Sequence, residues 1–136
     1  MSEPKKVLIV DDDMNMHDFY AELFAAHAVT YTTSGEDAVE LLQKGGGPFD
    51  LIYLDLELLG MSGFATYDEI KKILGAKIPP VVVSSSLSDA ATRQTAASKG
   101  AAGFVPKPIN LQVAIAVAHK LLGGGPEPEP PQSVFK

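Results

Sequence analysis

The chain has 136 residues, a formal net charge of −6, no cysteine and no tryptophan. That is the length of one domain, able to bury roughly two-thirds of its unfolded surface without covalent or metal staples, and the missing cysteines exclude disulfide scaffolds, cysteine nucleophiles and thiolate zinc sites. With 46% hydrophobic and 21% charged residues the composition is that of a soluble globular protein; the apolar runs are too short to span a bilayer, Met1-Ser2-Glu3-Pro4-Lys5-Lys6 lacks a secretory signal's apolar stretch and so points to the cytoplasm, and the acidic balance argues against a grip on nucleic acid phosphates.

Apolar runs alternate with helical patterns five times. Val7 to Val10 is an unalternating, β-branched run, as expected of a parallel strand covered on both faces. In the following helix Met16, Phe19, Leu23 and Ala26 fall on one stripe facing the sheet. Val29 to Thr33 alternates apolar with polar residues, the pattern of an edge strand. Ser34 with Asp37 resembles a capping pair opening a helix that turns Ala38, Leu41 and Leu42 inward and dissolves into Gly45-Gly46-Gly47-Pro48. Leu51 to Leu54 predicts a second interior strand. Phe64, Tyr67, Ile70, Ile73 and Leu74 then mark a helix that Gly75 ends. Val81 to Val83 predicts a third interior strand, and Ser88 is expected to cap a helix from Ser88 to Lys99 whose apolar side chains are all alanines. Ala102 to Val105 is short, stops at Pro106 and reads as the second edge. Leu111 to Leu122 is a helix apolar almost all round, with Leu111, Ala114, Ile115, Ala118, Leu121 and Leu122 assigned to the core and Val113 and Val117 to another face.

Five strand-helix units predict an α/β domain: a five-stranded parallel sheet, doubly wound with five helices. The order 2-1-3-4-5 places the three unalternating strands inside and the other two at the edges. This domain is expected to span residues 1–122. Residues 123–136, opening Gly123-Gly124-Gly125-Pro126-Glu127-Pro128-Glu129-Pro130-Pro131, have the composition of a flexible tail or linker stub.

In such a sheet the chemistry sits beyond the carboxyl ends of the strands. The first strand ends in Asp11-Asp12-Asp13, the third in Asp55 and the fourth in Ser84-Ser85-Ser86, while Lys107 follows the fifth. Carboxylates gathered on one rim repel one another unless a cation shares the site. A hard divalent ion meets that need, and Mg²⁺ fits an oxygen donor set better than zinc. Singly, these features read as strand ends, a helix cap and turn chemistry. Gly45-Gly46-Gly47 lacks the Gly-Lys-Ser/Thr ending of a phosphate loop, and His17, His27 and His119 have no ligand spacing.

Taken together and in this order, the acidic pair, the lone Asp55, the Ser85 hydroxyl and Lys107-Pro108 resemble the receiver domain of two-component response regulators, in the single-domain form found in chemotaxis. The resemblance covers about residues 5 to 122, with Gly100-Ala101 and Phe104 in the family's register. It implies that Asp55 is the phosphoacceptor, served by a histidine kinase or phosphotransfer protein. It implies Mg²⁺ bound by Asp12, Asp55 and the Glu57 backbone carbonyl, with Asp11 acting partly through water. It further implies that Ser85 and Lys107 bind the phosphoryl group, that Ser85 moves toward it and opens space for Phe104, and that the Lys107–Pro108 bond is cis.

Four positions depart from the family's usual pattern: Leu59 where proline is common, Ser62 where aspartate is common, serine rather than threonine at Ser85, and Phe104 without a tyrosine hydroxyl. Glu57 and Leu87 occupy positions that flank the phosphoryl group, Leu87 expected to hinder water and Glu57 to repel or orient it. The fourth helix, weakly held by its alanines, is expected to form the phosphorylation-dependent partner or dimer surface with the fifth strand and fifth helix. Two other functions are compatible with parts of the pattern. A receiver-like interaction module would work without phosphate. A haloacid-dehalogenase-like phosphatase shares the Leu54-Asp55-Leu56-Glu57 theme but places its nucleophile on the first strand.

Overall fold

Five strands pair in parallel: β1 (Lys6–Val10), β2 (Ala28–Thr32), β3 (Leu51–Asp55), β4 (Val81–Ser85) and β5 (Gly103–Pro106). Their order in the computed structural model, which describes residues 4–87 and 89–122, is 2-1-3-4-5. The predicted topology holds, with strand ends differing by one or two residues. β3 and β4 are buried throughout and β1 over its last four residues, because helices cover both faces. β2 alternates exposed with partly buried positions, as an edge strand does.

α2 (Gly35–Gln43), α3 (Gly63–Leu74) and α4 (Ala90–Ser98) pack on the face carrying Leu8, Val10, Ile52, Leu54 and Val83. On the opposite face α1 (His17–Leu23) and α5 (Leu111–Leu122) cover Val7, Ile9, Tyr53 and Val82. Ser34 caps α2 as expected, accepting from the Asp37 amide at 3.0 Å. Gly35 is where α2 meets α3: a Cβ there would lie 2.0 Å from Thr66 Oγ1, so only glycine permits this approach.

The helix faces differ from expectation in three places. Along α1 the expected Met16, Phe19 and Leu23 do pack against the core, but the fully buried residues are Tyr20 and, just past the helix end, Phe24, while Ala26 lies beyond the helix and is exposed. A short 3₁₀ turn at Met14–Met16, capped by the Asp13 carboxylate, precedes the helix. The cap of α4 is Asp89, accepting from the Thr92 amide at 3.0 Å, and the helix starts at Ala90; Ser88 lies outside the described residues. In α5 Ala114 and Leu122 are buried and Ala118 and Leu121 pack against the core as expected, but Val117 is buried as well, whereas Leu111 and Ile115 are 54% and 41% exposed. In so apolar a helix hydropathy alone leaves several faces able to turn inward, and the cluster that Val117 shares with Val105 of β5 and Tyr20 of α1 selects the one that does. The expected tail, residues 123–136, also lies outside the described residues.

Candidate functional site

The carboxyl ends of β1, β3, β4 and β5 deliver their side chains to one rim. Asp11 follows the last residue of β1, Asp55 ends β3, Ser85 ends β4 and Lys107 follows β5. One carboxylate oxygen each from Asp11, Asp12 and Asp55 lies within 4.8 Å of the others. The cluster predicted from sequence therefore forms, with Asp11 and Asp55 buried and Asp12 half-buried.

Asp55 is held by two hydrogen bonds. Its Oδ1 accepts from the Glu57 amide at 2.9 Å and its Oδ2 from Lys107 Nζ at 2.8 Å. Burial nevertheless pushes its pKa up to about 6, with the Asp11 charge adding to the effect, against the lowering influence of Lys107 and the Glu57 amide. Burial works against the Lys107 charge as well, but the bond to Asp55 and the charges of Asp55, Asp11 and Glu57 outweigh it and hold that ammonium above its ordinary range. Ionisable groups perturbed together by burial and by a specific charged partner cluster at functional sites.

Asp11 is also constrained. Its Oδ1 accepts from the Asp13 amide at 2.9 Å and its Oδ2 from the Tyr20 hydroxyl at 2.6 Å. The Tyr20 ring packs at a 60° tilt against Tyr53, centroids 5.1 Å apart, so a core side chain orients an acidic one. Sequence reasoning missed this role. The available signal was a residue with a polar tip on the sheet-facing side of α1. Burial, then Tyr53, and then the bond to Asp11 raise the Tyr20 pKa, so the hydroxyl is a donor.

The loop after β3 shows what two of the unusual residues do. Leu59 donates its amide to Asp12 Oδ2 at 3.2 Å, a bond proline has no hydrogen to make. Ser62 caps α3, its hydroxyl accepting from the Ala65 amide at 3.1 Å. Gly63 passes so close to β3 that a Cβ would lie 2.4 Å from the Leu56 Cα. Glu36 of α2 accepts from the Met61 amide at 3.1 Å, tying the loop to a second helix.

At the end of β4 the Ser85 hydroxyl donates to Glu57 Oε2 and accepts from the Leu87 amide at 2.9 Å. Glu57 Oε1 accepts from the Ser86 amide at 2.8 Å and from the Ser86 hydroxyl at 2.9 Å. Burial would raise the Glu57 pKa, but these bonds and Lys107 together keep it below its ordinary value. Leu87 is 62% exposed, and Phe104 is fully buried with the Arg93 guanidinium 4.7 Å above its ring. The Lys107–Pro108 bond is cis, as the resemblance implied; a second cis bond, Gly47–Pro48, was not anticipated. His17 stacks on Tyr31 at 4.3 Å and stands outside the carboxylate cluster.

Among curated proteins, the chain is 27% identical over 128 residues to the DNA-binding transcriptional regulator NtrC of Escherichia coli K12, covering 94% of this chain and 27% of the relative. It is 32% identical over 120 residues to the transcriptional regulatory protein ZraR of the same organism, covering 83% of this chain and 26% of the relative. The chain thus spans about a quarter of the length of these regulators. Among solved structures it resembles the beryllofluoride-activated DrrB receiver domain, with a TM-score of 0.75 and 26% identity over 88% of this chain and 97% of that one. It shares the fold of the chemotaxis response regulator CheY4 of Vibrio cholerae, with a TM-score of 0.77 and 24% identity over 88% and 99% of the two chains. The model of the response regulator receiver domain matches residues 7–119, which take in every strand but the first residue of β1, all the rim side chains described above and most of α5. The chain belongs to the response regulator receiver domain family.

Proposed function

We propose that Asp55 accepts a phosphoryl group from a histidine kinase or phosphotransfer protein, and that the modified rim alters the α4–β5–α5 surface to control a protein partner or a second copy of the chain. The observation that carries this reading is the Lys107–Asp55 contact at 2.8 Å, beside two further carboxylates and the Ser85 hydroxyl. An Asp55 oxygen attacks phosphorus, the phosphorus–nitrogen bond of the phosphohistidine breaks, and its electron pair leaves with the imidazole. A carboxylate is a weak nucleophile, so orientation matters, and the Glu57 amide and Lys107 supply it. Charge on the transferring oxygens is met by the Lys107 ammonium and by donors at the end of β4.

Hard oxygen donors from Asp11, Asp12 and Asp55, gathered within 4.8 Å, fit Mg²⁺, with the Glu57 carbonyl as a further ligand. When bound, Mg²⁺ would neutralise carboxylate and phosphoryl oxygens and so make a second anion tolerable on this rim. On this reading the protein is a phosphoacceptor that promotes its own modification and its reversal, with no conventional turnover substrate. Leu87 and Glu57 would set how readily water reaches the acyl phosphate. The receiver unit is assigned to residues 1–122 and the remainder to a linker or tail. Among the described residues no helix is long and apolar enough to cross a membrane, in keeping with a cytoplasmic role.

Incubation with acetyl phosphate and Mg²⁺ followed by intact mass measurement tests the assignment. One phosphoryl group is expected, absent in Asp55→Asn and after chelation. No adduct would favour an interaction module that works without phosphate, and steady release of phosphate from a phosphoester would favour a phosphatase.

A further inference from the structure

Glu57 begins a short bridge between two strand ends. Its amide is fixed on Asp55 Oδ1 at 2.9 Å, and its carboxylate crosses to the end of β4. There it accepts hydrogen bonds from the Ser85 hydroxyl, from the Ser86 amide at 2.8 Å and from the Ser86 hydroxyl at 2.9 Å. A hydroxyl has one proton to donate, so while Glu57 holds it Ser85 cannot donate to another anion.

A phosphoryl group on Asp55 would bring a charge of about −1.5 to −2 and three acceptor oxygens into this same notch. Asp11, Asp12, Asp55 and Glu57 already face it, and Lys107 is the cation that Asp55 and Glu57 both sense. The one Ser85 hydroxyl proton cannot serve both anions at once, so Glu57 and the phosphoryl group compete for it. Glu57 is the one able to leave, because its side chain is exposed at the rim.

We propose that Glu57 is a positioning residue acting as a resident stand-in for the phosphoryl group: its carboxylate keeps Ser85 and Ser86 arranged around an anion in the unmodified protein and is displaced when Asp55 is phosphorylated. The proposal rests on Asp55 being the phosphoacceptor. It changes what the modification moves. Ser85 is already drawn to an anion at the rim, and Phe104 is already fully buried, so Glu57 makes the largest displacement, toward solvent at the mouth of the site.

The test compares the wild-type chain with Glu57→Ala and Glu57→Gln. Amide exchange is read first, on unmodified protein without Mg²⁺. The Ser86 amide, bonded to the Glu57 carboxylate, should be protected in the wild type and exchange about tenfold faster in Glu57→Ala, the loss expected for a bond to a charged acceptor. The Leu87 amide, bonded to the Ser85 hydroxyl that Glu57 orients, should be protected in the wild type and follow in the same direction. Beryllofluoride with Mg²⁺ should restore that protection in the variant and leave the wild-type value within about twofold, by the same hydrogen-bond reasoning. Labelling of Asp55 by acetyl phosphate should be several-fold faster in both variants, since each removes the competing charge. The β1 amides serve as the folding control and should not change.

Equal Ser86 and Leu87 exchange in wild type and Glu57→Ala would overturn the proposal, as would slower labelling of the variants. If neither wild type nor variants are labelled, the phosphoacceptor reading fails and displacement fails with it. A Glu57-dependent exchange would then leave Glu57 as a loop clamp only.

Discussion

At the scale of single residues the site is a set of charges held against their inclination. Asp55 is 1% exposed and its pKa stands near 6, against an ordinary 3.8, chiefly because burial disfavours the carboxylate. Between those values the folded chain retains a proton that the unfolded chain has released. Stability therefore falls as pH rises through that window and stays low above it. Asp55→Asn removes the buried charge, so the metal-free variant should be more stable than wild type at pH 7 by roughly 1–3 kcal/mol, toward the lower end because Lys107 loses its partner. Urea unfolding at pH 7 and below pH 4 checks this, and the difference should vanish at the acid end. Asp11 is eased differently, by the Tyr20 hydroxyl and the Asp13 amide.

At the scale of elements the helices are unequally anchored. α3 buries Thr66, Tyr67 and Ile70 and leans on Phe64, Ile73 and Leu74, whereas Ala96 is the one buried side chain among the described residues of α4. At ~0.8 kcal/mol per buried CH₂ an alanine contributes little. Polar ties compensate in part: Lys99 pairs with Asp68 at 2.9 Å and Lys71 donates to the Lys99 carbonyl at 2.6 Å, both linking the end of α4 to α3. Partly exposed ion pairs of this kind stabilise little. The α4 amides should therefore exchange with solvent through local opening well before those of α3, by about a hundredfold if α4 opens some 2.7 kcal/mol more easily. Residue-resolved exchange measures it, and equal protection in the two helices would contradict it. This ease of movement suits α4 to the proposed output surface.

At the scale of the molecule, the net charge of −6 is not spread evenly, since Asp11, Asp12 and Asp55 meet at one rim. A ligand that binds only the folded arrangement stabilises it by mass action. Mg²⁺ at a hundredfold excess over its Kd should add about 2.7 kcal/mol, or on the order of 10 °C in Tm for a domain of this size. Sodium at equal ionic strength should not reproduce the rise, and Asp12→Asn should abolish most of it. Thermal unfolding followed by circular dichroism gives the answer directly.

Much of this was legible before folding was considered. Strand order followed from which apolar runs alternate and which do not, since burial on one face or two writes itself into residue pattern. Asp11, Asp12, Asp55, Ser85 and Lys107 were placed because position at a strand's carboxyl end is a matter of chain order. Less was legible in the helices. The long apolar run of α5 left its rotation open, so Val117 and Ile115 exchanged their expected places. In α1 the stripe of Met16, Phe19 and Leu23 does meet the core, but the deepest positions beside it, Tyr20 and Phe24, went unread.

Residue pattern alone therefore determined the architecture and the membership of the acidic rim, both of which depend on local periodicity and order along the chain. Only the tertiary structure decided who holds whom. Tyr20 reaches Asp11, Leu59 reaches Asp12, and Glu57 crosses to Ser85 and Ser86. The last two join the loop after β3 to other strand ends, and the first reaches β1 from α1. Such a contact is fixed by packing and turn geometry in three dimensions, and it leaves no spacing rule in the chain from which it could be read.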